Sequence, residues 1–285
     1  MSKAEIILAG SAGFCFGVQR AVSRVYEEVE KGGNIFTYGP IIHNKEVVSD
    51  LEQKGVRVTQ SPEELKDVTS GTVVIRSHGV SRETDQQLRG TGLSCVDATC
   101  PFVKRIHRAV EAQSAAGRHI IIIGNPVHPE VIGIKGWSST PVTVIQNAEE
   151  AREFQPPEDK GLCIVAQTTF NANKFQDLVA ILKEKSYNVL CVNTICSATH
   201  ERQSEARSIA ARADIMIVIG DRSSSNSAKL YEICRKECPQ TYFIQTWNDL
   251  HLTLTGAEKV IGITAGASTP KNIIEEVYNH VRADL

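Results

Sequence analysis

The spacing between cysteines and glycines constrains this chain more than any other feature. Cys15 to Gly39, Cys100 to Gly124 and Cys196 to Gly220 are each 24 residues apart. Each cysteine opens a helix-like segment, "CFGVQRAV", "CPFVKRIH" or "CSATHERQ", and each glycine closes a short apolar run. A polar loop follows each glycine: "GPIIHNKE", "GNPVHPEV" and "GDRSSSNS", with His43, His128 and Ser224 in turn as the fourth residue past it. A second apolar run in each copy also ends in a polar turn. These are "VVIRSHGV" with His78, "CIVAQTTF" with Thr168 and "VIGITAGASTP" with Ser268. A shared offset with matching loops at three places marks an internal repeat. Three units are expected, spanning 1–96, 97–192 and 193–285.

The apolar runs at Ile6–Ala9, Ile35–Tyr38, Val73–Arg76, Ile120–Ile123, Leu162–Ala166, Ile215–Ile219 and Val260–Thr264 alternate with amphipathic stretches. That alternation predicts an α/β fold with mostly parallel strands. With the repeat, the expected architecture is three pseudo-threefold-related α/β domains, each with a small, mostly parallel sheet, around a central site. "QPPEDKG" at 155–161 reads as a surface turn. A net charge of -2 argues against a nucleic-acid or anionic-membrane partner. The longest apolar runs, "HIIIIG" and "IMIVIG", fall well short of the roughly 20 residues a membrane helix needs. "AEIILAG" reads as a strand from residue 4, so no targeting segment is read and a reducing cytoplasm is expected.

In such a compartment the eight cysteines are expected to be thiols or metal ligands rather than a disulfide framework. The repeat sorts them. Cys15, Cys100 and Cys196 recur in all three copies. Cys95 and Cys191 match Gly10 in the first copy and read as structural, and Cys163 lies inside a strand. Cys234 and Cys238, four apart on a helix, suit packing better than a metal or redox role.

Ligands of parallel α/β sheets bind at the carboxyl ends of the strands, near helix N-termini. Units closed around a threefold axis would bring Cys15, Cys100 and Cys196 to one point, where three thiolates need a cation. Zinc would need a fourth ligand, which in a Cys3His site would be His43, His78 or His128. An iron–sulfur cluster would keep one iron open to substrate. His43, His78, His128, Thr168, Ser224, Ser225, Asn226 and Ser268 make a donor-rich set suited to phosphate or diphosphate. No nucleotide-binding glycine fingerprint stands in the required setting. Glu130, in "HPE", is the candidate proton donor, with Thr168 to orient or relay the proton.

These segments, with "HNKEVV", "RSHGVS", "DATCPFV", "GNPVHPEVIGIKG", "AQTTF", "NTICSATHERQ" and "SSSNSAKL", resemble the 4-hydroxy-3-methylbut-2-enyl diphosphate reductase family, in order and over nearly the whole chain. The resemblance implies the last step of the non-mevalonate isoprenoid pathway, a reductive dehydroxylation giving isopentenyl and dimethylallyl diphosphate. It implies a four-iron, four-sulfur cluster on Cys15, Cys100 and Cys196 with one iron open. It implies diphosphate binding by His43, His78, His128, Ser224, Ser225, Asn226 and Ser268, with Thr168 beside the substrate hydroxyl and Glu130 as proton source. A ferredoxin or flavodoxin would be the electron donor. No appended RNA-binding domain of the kind some relatives carry is read. Two other classes compete. A cluster-dependent hydro-lyase would need no external reductant, and a zinc or redox sensor would not need Glu130.

Overall fold

The computed structural model describes residues 4–157, 160–185, 188–252 and 257–283. Residues 158 and 159 of the expected 155–161 turn lie outside the described residues. The chain opens with β1 (Glu5–Leu8), α1 (Phe16–Lys31), β2 (Ile35–Tyr38), α2 (Lys45–Gln53), β3 (Val56–Thr59), β4 (Thr72–Ile75), α3 (Arg82–Arg89) and β5 (Ser94–Asp97). It continues with α4 (Pro101–Ala115), β6 (His119–Ile123), α5 (Pro129–Lys135), β7 (Val142–Ile145), α6 (Ala148–Glu153), β8 (Leu162–Ala166), α7 (Ala172–Glu184) and β9 (Val189–Cys191). The last stretch holds α8 (Ser197–Ala210), β10 (Ile215–Ile219), α9 (Ser225–Glu237), β11 (Thr241–Ile244), β12 (Val260–Ala265) and α10 (Lys271–Ala283).

The strands form three four-stranded sheets, ordered β5-β4-β2-β3, β9-β8-β6-β7 and β1-β12-β10-β11. Every pairing is parallel. The order is the same each time. A strand leading to a repeat cysteine sits at one edge, and the two apolar runs seen in the sequence fill the middle. The opening strand β1 pairs with β12, Glu5 opposite Val260, so the N-terminal strand completes the sheet built by the C-terminal residues.

The three sheets share their hydrogen bonds as well as their order. Gly39, Gly124 and Gly220 each donate their N–H to the last residue of the neighbouring edge strand, Thr59, Ile145 and Ile244, at 2.7, 3.0 and 2.8 Å. At Gly124 a side chain is excluded sterically, since a Cβ would lie 2.9 Å from the Gln167 Cβ. Cys15, Cys100 and Cys196 each donate their N–H to the carbonyl two residues past a central strand: Ala267 at 3.2 Å, Ser77 at 2.9 Å and Thr168 at 3.0 Å. The spacing read from the sequence is thus the spacing of equivalent backbone bonds.

The middle strands are buried on both faces, so they read as unbroken apolar runs. Ile120–Ile123 are all 0% exposed, each contributing about 1.5–3 kcal/mol of burial. Helices cover them with apolar faces at 3.6-residue spacing. In α4 these are Val103, Ile106 and Val110. The chain packs as two units. One comprises Met1–Val18, His43–Val47 and Ser197–Leu285, and the other Gln19–Ile42 and Val48–Cys196. Among the described residues no helix is long and apolar enough to cross a membrane.

Candidate active site

In the unit containing residues 48–196, two candidate side chains meet in a closed pair. Glu130 stands in the first turn of α5 and is 2% exposed. Its Oε1 accepts the Thr168 N–H at 2.6 Å, and its Oε2 accepts the Thr168 hydroxyl at 2.7 Å. Burial pushes the Glu130 carboxyl up to about 7, against the opposing pull of both Thr168 bonds. A carboxyl poised there holds or releases a proton near neutrality.

His128 caps the same helix, its Nδ1 accepting the Glu130 N–H at 3.1 Å. That bond fixes the neutral tautomer, with the ring proton on Nε2. The His78 ring meets the His128 ring edge-on at 5.3 Å between centroids. Thr168 also receives the Cys196 N–H on its carbonyl, so one residue touches both Glu130 and a repeat cysteine.

Burial of Glu130 has a consequence for stability. A carboxyl whose folded value is raised from 4.5 to about 7 contributes stability fully below its unfolded value, and loses it as pH rises through the folded one. Glu130→Gln removes that penalty. From about pH 5 to about pH 8 the variant is expected to gain on the order of 2 kcal/mol over the parent. Paired thermal melts at the two pH values check this, and a difference that does not change with pH would show that Glu130 does not titrate in this window.

In the other unit, the Ser268 hydroxyl donates to the His43 carbonyl at 2.9 Å and lies 3.4 Å from the Ser224 Oγ. Ser224 caps α9 through the Ser227 N–H at 3.4 Å, and Ser225 and Asn226 begin that helix. Asn226 is 4% exposed, and neither its amide nitrogen nor its oxygen has a hydrogen-bond partner among the described residues. A buried amide left so is costly unless a ligand satisfies it. His43, Ser224, Asn226 and Ser268 therefore share one donor-rich loop cluster within this unit.

The repeat cysteines each precede or cap a helix, α1, α4 or α8, and each is half-buried. None of the eight cysteines is in a disulfide. The other five suit ligand duty poorly. Burial pushes the Cys163 thiol up to about 11 and Cys234 up to about 12, and raises Cys95, Cys191 and Cys238. Cys234 and Cys238 pack in an apolar cluster with Ala206, Ile209 and Leu230, so their four-residue spacing is core packing.

Sequence reasoning missed several residues here. Counted from strand ends, Thr169 stands at the register of His78 and Ser268, while Thr168 stands with Ser77 and Ala267. The adjacent threonines hid this one-residue offset. Asp221, 2% exposed, accepts the Ser223 N–H and hydroxyl and the Lys45 N–H, tying the Ser224 loop to the start of α2. Those bonds hold its carboxyl below the usual range against the opposing effect of burial. Glu205 accepts the Gly10 and Ser11 N–H groups at 2.8 and 2.9 Å, and Arg202 donates to the Gly13 carbonyl. Together they fasten the loop that presents Cys15.

A family profile described as LytB protein matches residues 6–282. A 4-hydroxy-3-methylbut-2-enyl diphosphate reductase of Alkaliphilus oremlandii is 43% identical over 280 residues, 97% of this chain and 99% of the relative. One of the same description from Clostridioides difficile is 41% identical over 274 residues, 96% of this chain and 97% of the relative. Among solved structures, the E-1-hydroxy-2-methyl-but-2-enyl-4-diphosphate reductase of Plasmodium falciparum superimposes with a TM-score of 0.92 at 28% identity, covering 98% of this chain and 88% of that one. A second, described as (E)-4-hydroxy-3-methyl-but-2-enyl diphosphate reductase, the terminal enzyme of the non-mevalonate pathway, gives 0.71 at 38% identity over 99% of this chain and all of that one. By profile, full-length identity and fold, this chain belongs to the LytB family.

Proposed function

We propose that this chain reduces (E)-4-hydroxy-3-methylbut-2-enyl diphosphate to isopentenyl and dimethylallyl diphosphate, releasing water. The observation that carries the reading is the buried Glu130, held near neutrality and bonded twice by Thr168. The names of its full-length relatives support the substrate.

A four-iron, four-sulfur cluster fits the donors present. Cys15, Cys100 and Cys196 would hold it with one iron left without a protein ligand. The support is chemical: three half-buried thiols at equivalent positions of the repeat, each with its backbone fixed by the same bond. Bound there, the cluster supplies electrons one at a time and a Lewis-acidic site for the substrate's hydroxyl oxygen.

The chain's own residues do the rest. The His128 Nε2–H, His43, His78, the Ser224, Ser225 and Ser268 hydroxyls and the Asn226 amide bind the diphosphate, whose binding energy orients the remote allylic carbon. Protonated Glu130 donates through Oε2 to the Thr168 Oγ, the 2.7 Å contact then running in reverse, and Thr168 lies ready to orient the substrate hydroxyl. Glu130 gives its proton to the departing oxygen as the allylic C–O bond breaks. The balance is two electrons and two protons consumed, one water released and one C–H bond formed at either end of the allyl unit. The electrons come from a small one-electron carrier protein, a ferredoxin or flavodoxin. A reducing cytoplasm suits eight unbridged cysteines.

The test is product analysis. Anaerobic, iron-loaded protein with excess chemical reductant should convert the hydroxylated diphosphate into both isomers. A dehydrated diene, or unchanged substrate, would remove the reductase reading.

A further inference from the structure

His78 lies in a loop between β4 and α3 that no regular pairing holds. The Ser77 N–H donates to the Ile41 carbonyl at 3.2 Å, and two aromatic side chains behind the loop brace the residues past it. The Trp137 indole N–H donates to the Val80 carbonyl, two residues past His78, at 2.9 Å. The His107 ring stacks on Trp137 at 5.1 Å between centroids and 16° between planes. It also lies under Gly79, where a Cβ would fall 2.7 Å from the His107 Cε1. Gly79 has φ of +71°, a conformation glycine adopts without strain. Space for any other side chain there is thus closed by backbone and ring together. The Arg82 guanidinium covers the Trp137 ring at 5.4 Å and is anchored by Glu111.

Each of these aromatics belongs to an element carrying a site residue. Trp137 follows the Gly136 cap that ends α5, whose first turn carries Glu130 and whose N-cap is His128. His107 lies two turns along α4 from Cys100. The loop itself carries His78, and the Ser77 carbonyl accepts the Cys100 N–H. The stacked pair therefore joins the three segments that carry His78, the Glu130–His128 turn and Cys100. Burial pushes His107 down to about 4, so its ring stays neutral and acts as a flat plate. Its Nε2 has no hydrogen-bond partner among the described residues. A cavity of about 250 Å3, walled by His107, Trp137, Asp97 and Lys104, adjoins it. Loss of the ring would let the Gly79 turn sink toward that space.

We propose that Trp137 and His107 are positioning residues that set the His78 loop against His128 and Glu130 for diphosphate binding. The inference rests on the reductase reading. Trp137→Phe keeps the stack and deletes only the N–H bond to Val80. It is expected to raise KM about five- to tenfold with kcat within about twofold, the worth of one hydrogen bond. The dissociation constant for inorganic diphosphate, measured by calorimetry on iron-loaded protein, should rise by the same factor. His107→Ala should do likewise, and His107→Phe, which restores a flat ring, should return both constants to near the parent's. If Trp137→Phe lowers the melting temperature while KM and diphosphate affinity stay within about twofold of the parent, the pair is packing alone and the proposal is overturned. A parent that binds diphosphate but does not turn over would defeat the reductase reading instead. The diphosphate affinities of the variants would still decide the positioning role.

Discussion

Glu130→Gln is expected to lower turnover by about 10²–10⁴-fold while iron, sulfide and diphosphate affinity stay at the parent's level. The amide keeps the shape of the carboxyl and can still accept the Thr168 N–H that Oε1 now receives. What it lacks is the proton. Because Glu130 is buried and pushed up to about 7, about half of the parent molecules hold that proton at neutral pH, where an ordinary glutamate would hold almost none. Steady-state kinetics with iron counting checks this. A variant that keeps most of its activity would mean that the proton comes from elsewhere, and Glu130 would then only brace the Thr168 backbone.

The second large effect concerns the thiols. Cys15→Ser, Cys100→Ser and Cys196→Ser should each lose most bound iron and nearly all turnover, since each removes one of the three proposed cluster ligands. Cys234→Ala should keep its iron. Its cost should be about 1 kcal/mol of stability, because the side chain fills an apolar cluster and its burial holds the thiol protonated. Iron and sulfide analysis of the four purified variants separates the two classes. Equal iron loss in Cys234→Ala would break the assignment, which depends on environment and not on thiol chemistry alone.

How much was legible from residues alone follows from what each position must satisfy. The six central strands could be read because burial on both faces leaves apolar residues and little else, as in Ile120–Ile123. The edge strands β3, β5, β7, β9 and β11 escaped notice. In "VRVT" Arg57 is exposed, and in "SCVD" no residue is fully buried, so neither pattern departs from a loop. The edge strand β1 was read only because "IILAG" is apolar throughout, and its partner β12 lies at the far end of the chain.

The site loops were legible through threefold repetition, which put His43, His128 and Ser224 at one offset from their glycines. Residues acting through tertiary approach left no such trace. Asp221 stood in a quoted loop, but its grip on Lys45 crosses 176 residues of chain. Glu205 reaches 195 residues back to Gly10, and Trp137 meets Val80 only because α5 lies beside the loop. Local propensity does not encode such contacts.

The central claim is a two-electron reduction at this site, and electron counting tests it most directly. Iron-loaded protein is mixed anaerobically with a reduced one-electron dye, and the dye is followed as the hydroxylated diphosphate is added. The account predicts rapid substrate-dependent oxidation of two dye molecules per substrate consumed. Substrate loss with no dye oxidation would contradict it and mark a hydro-lyase; no reaction by protein with its cluster intact would contradict catalysis altogether.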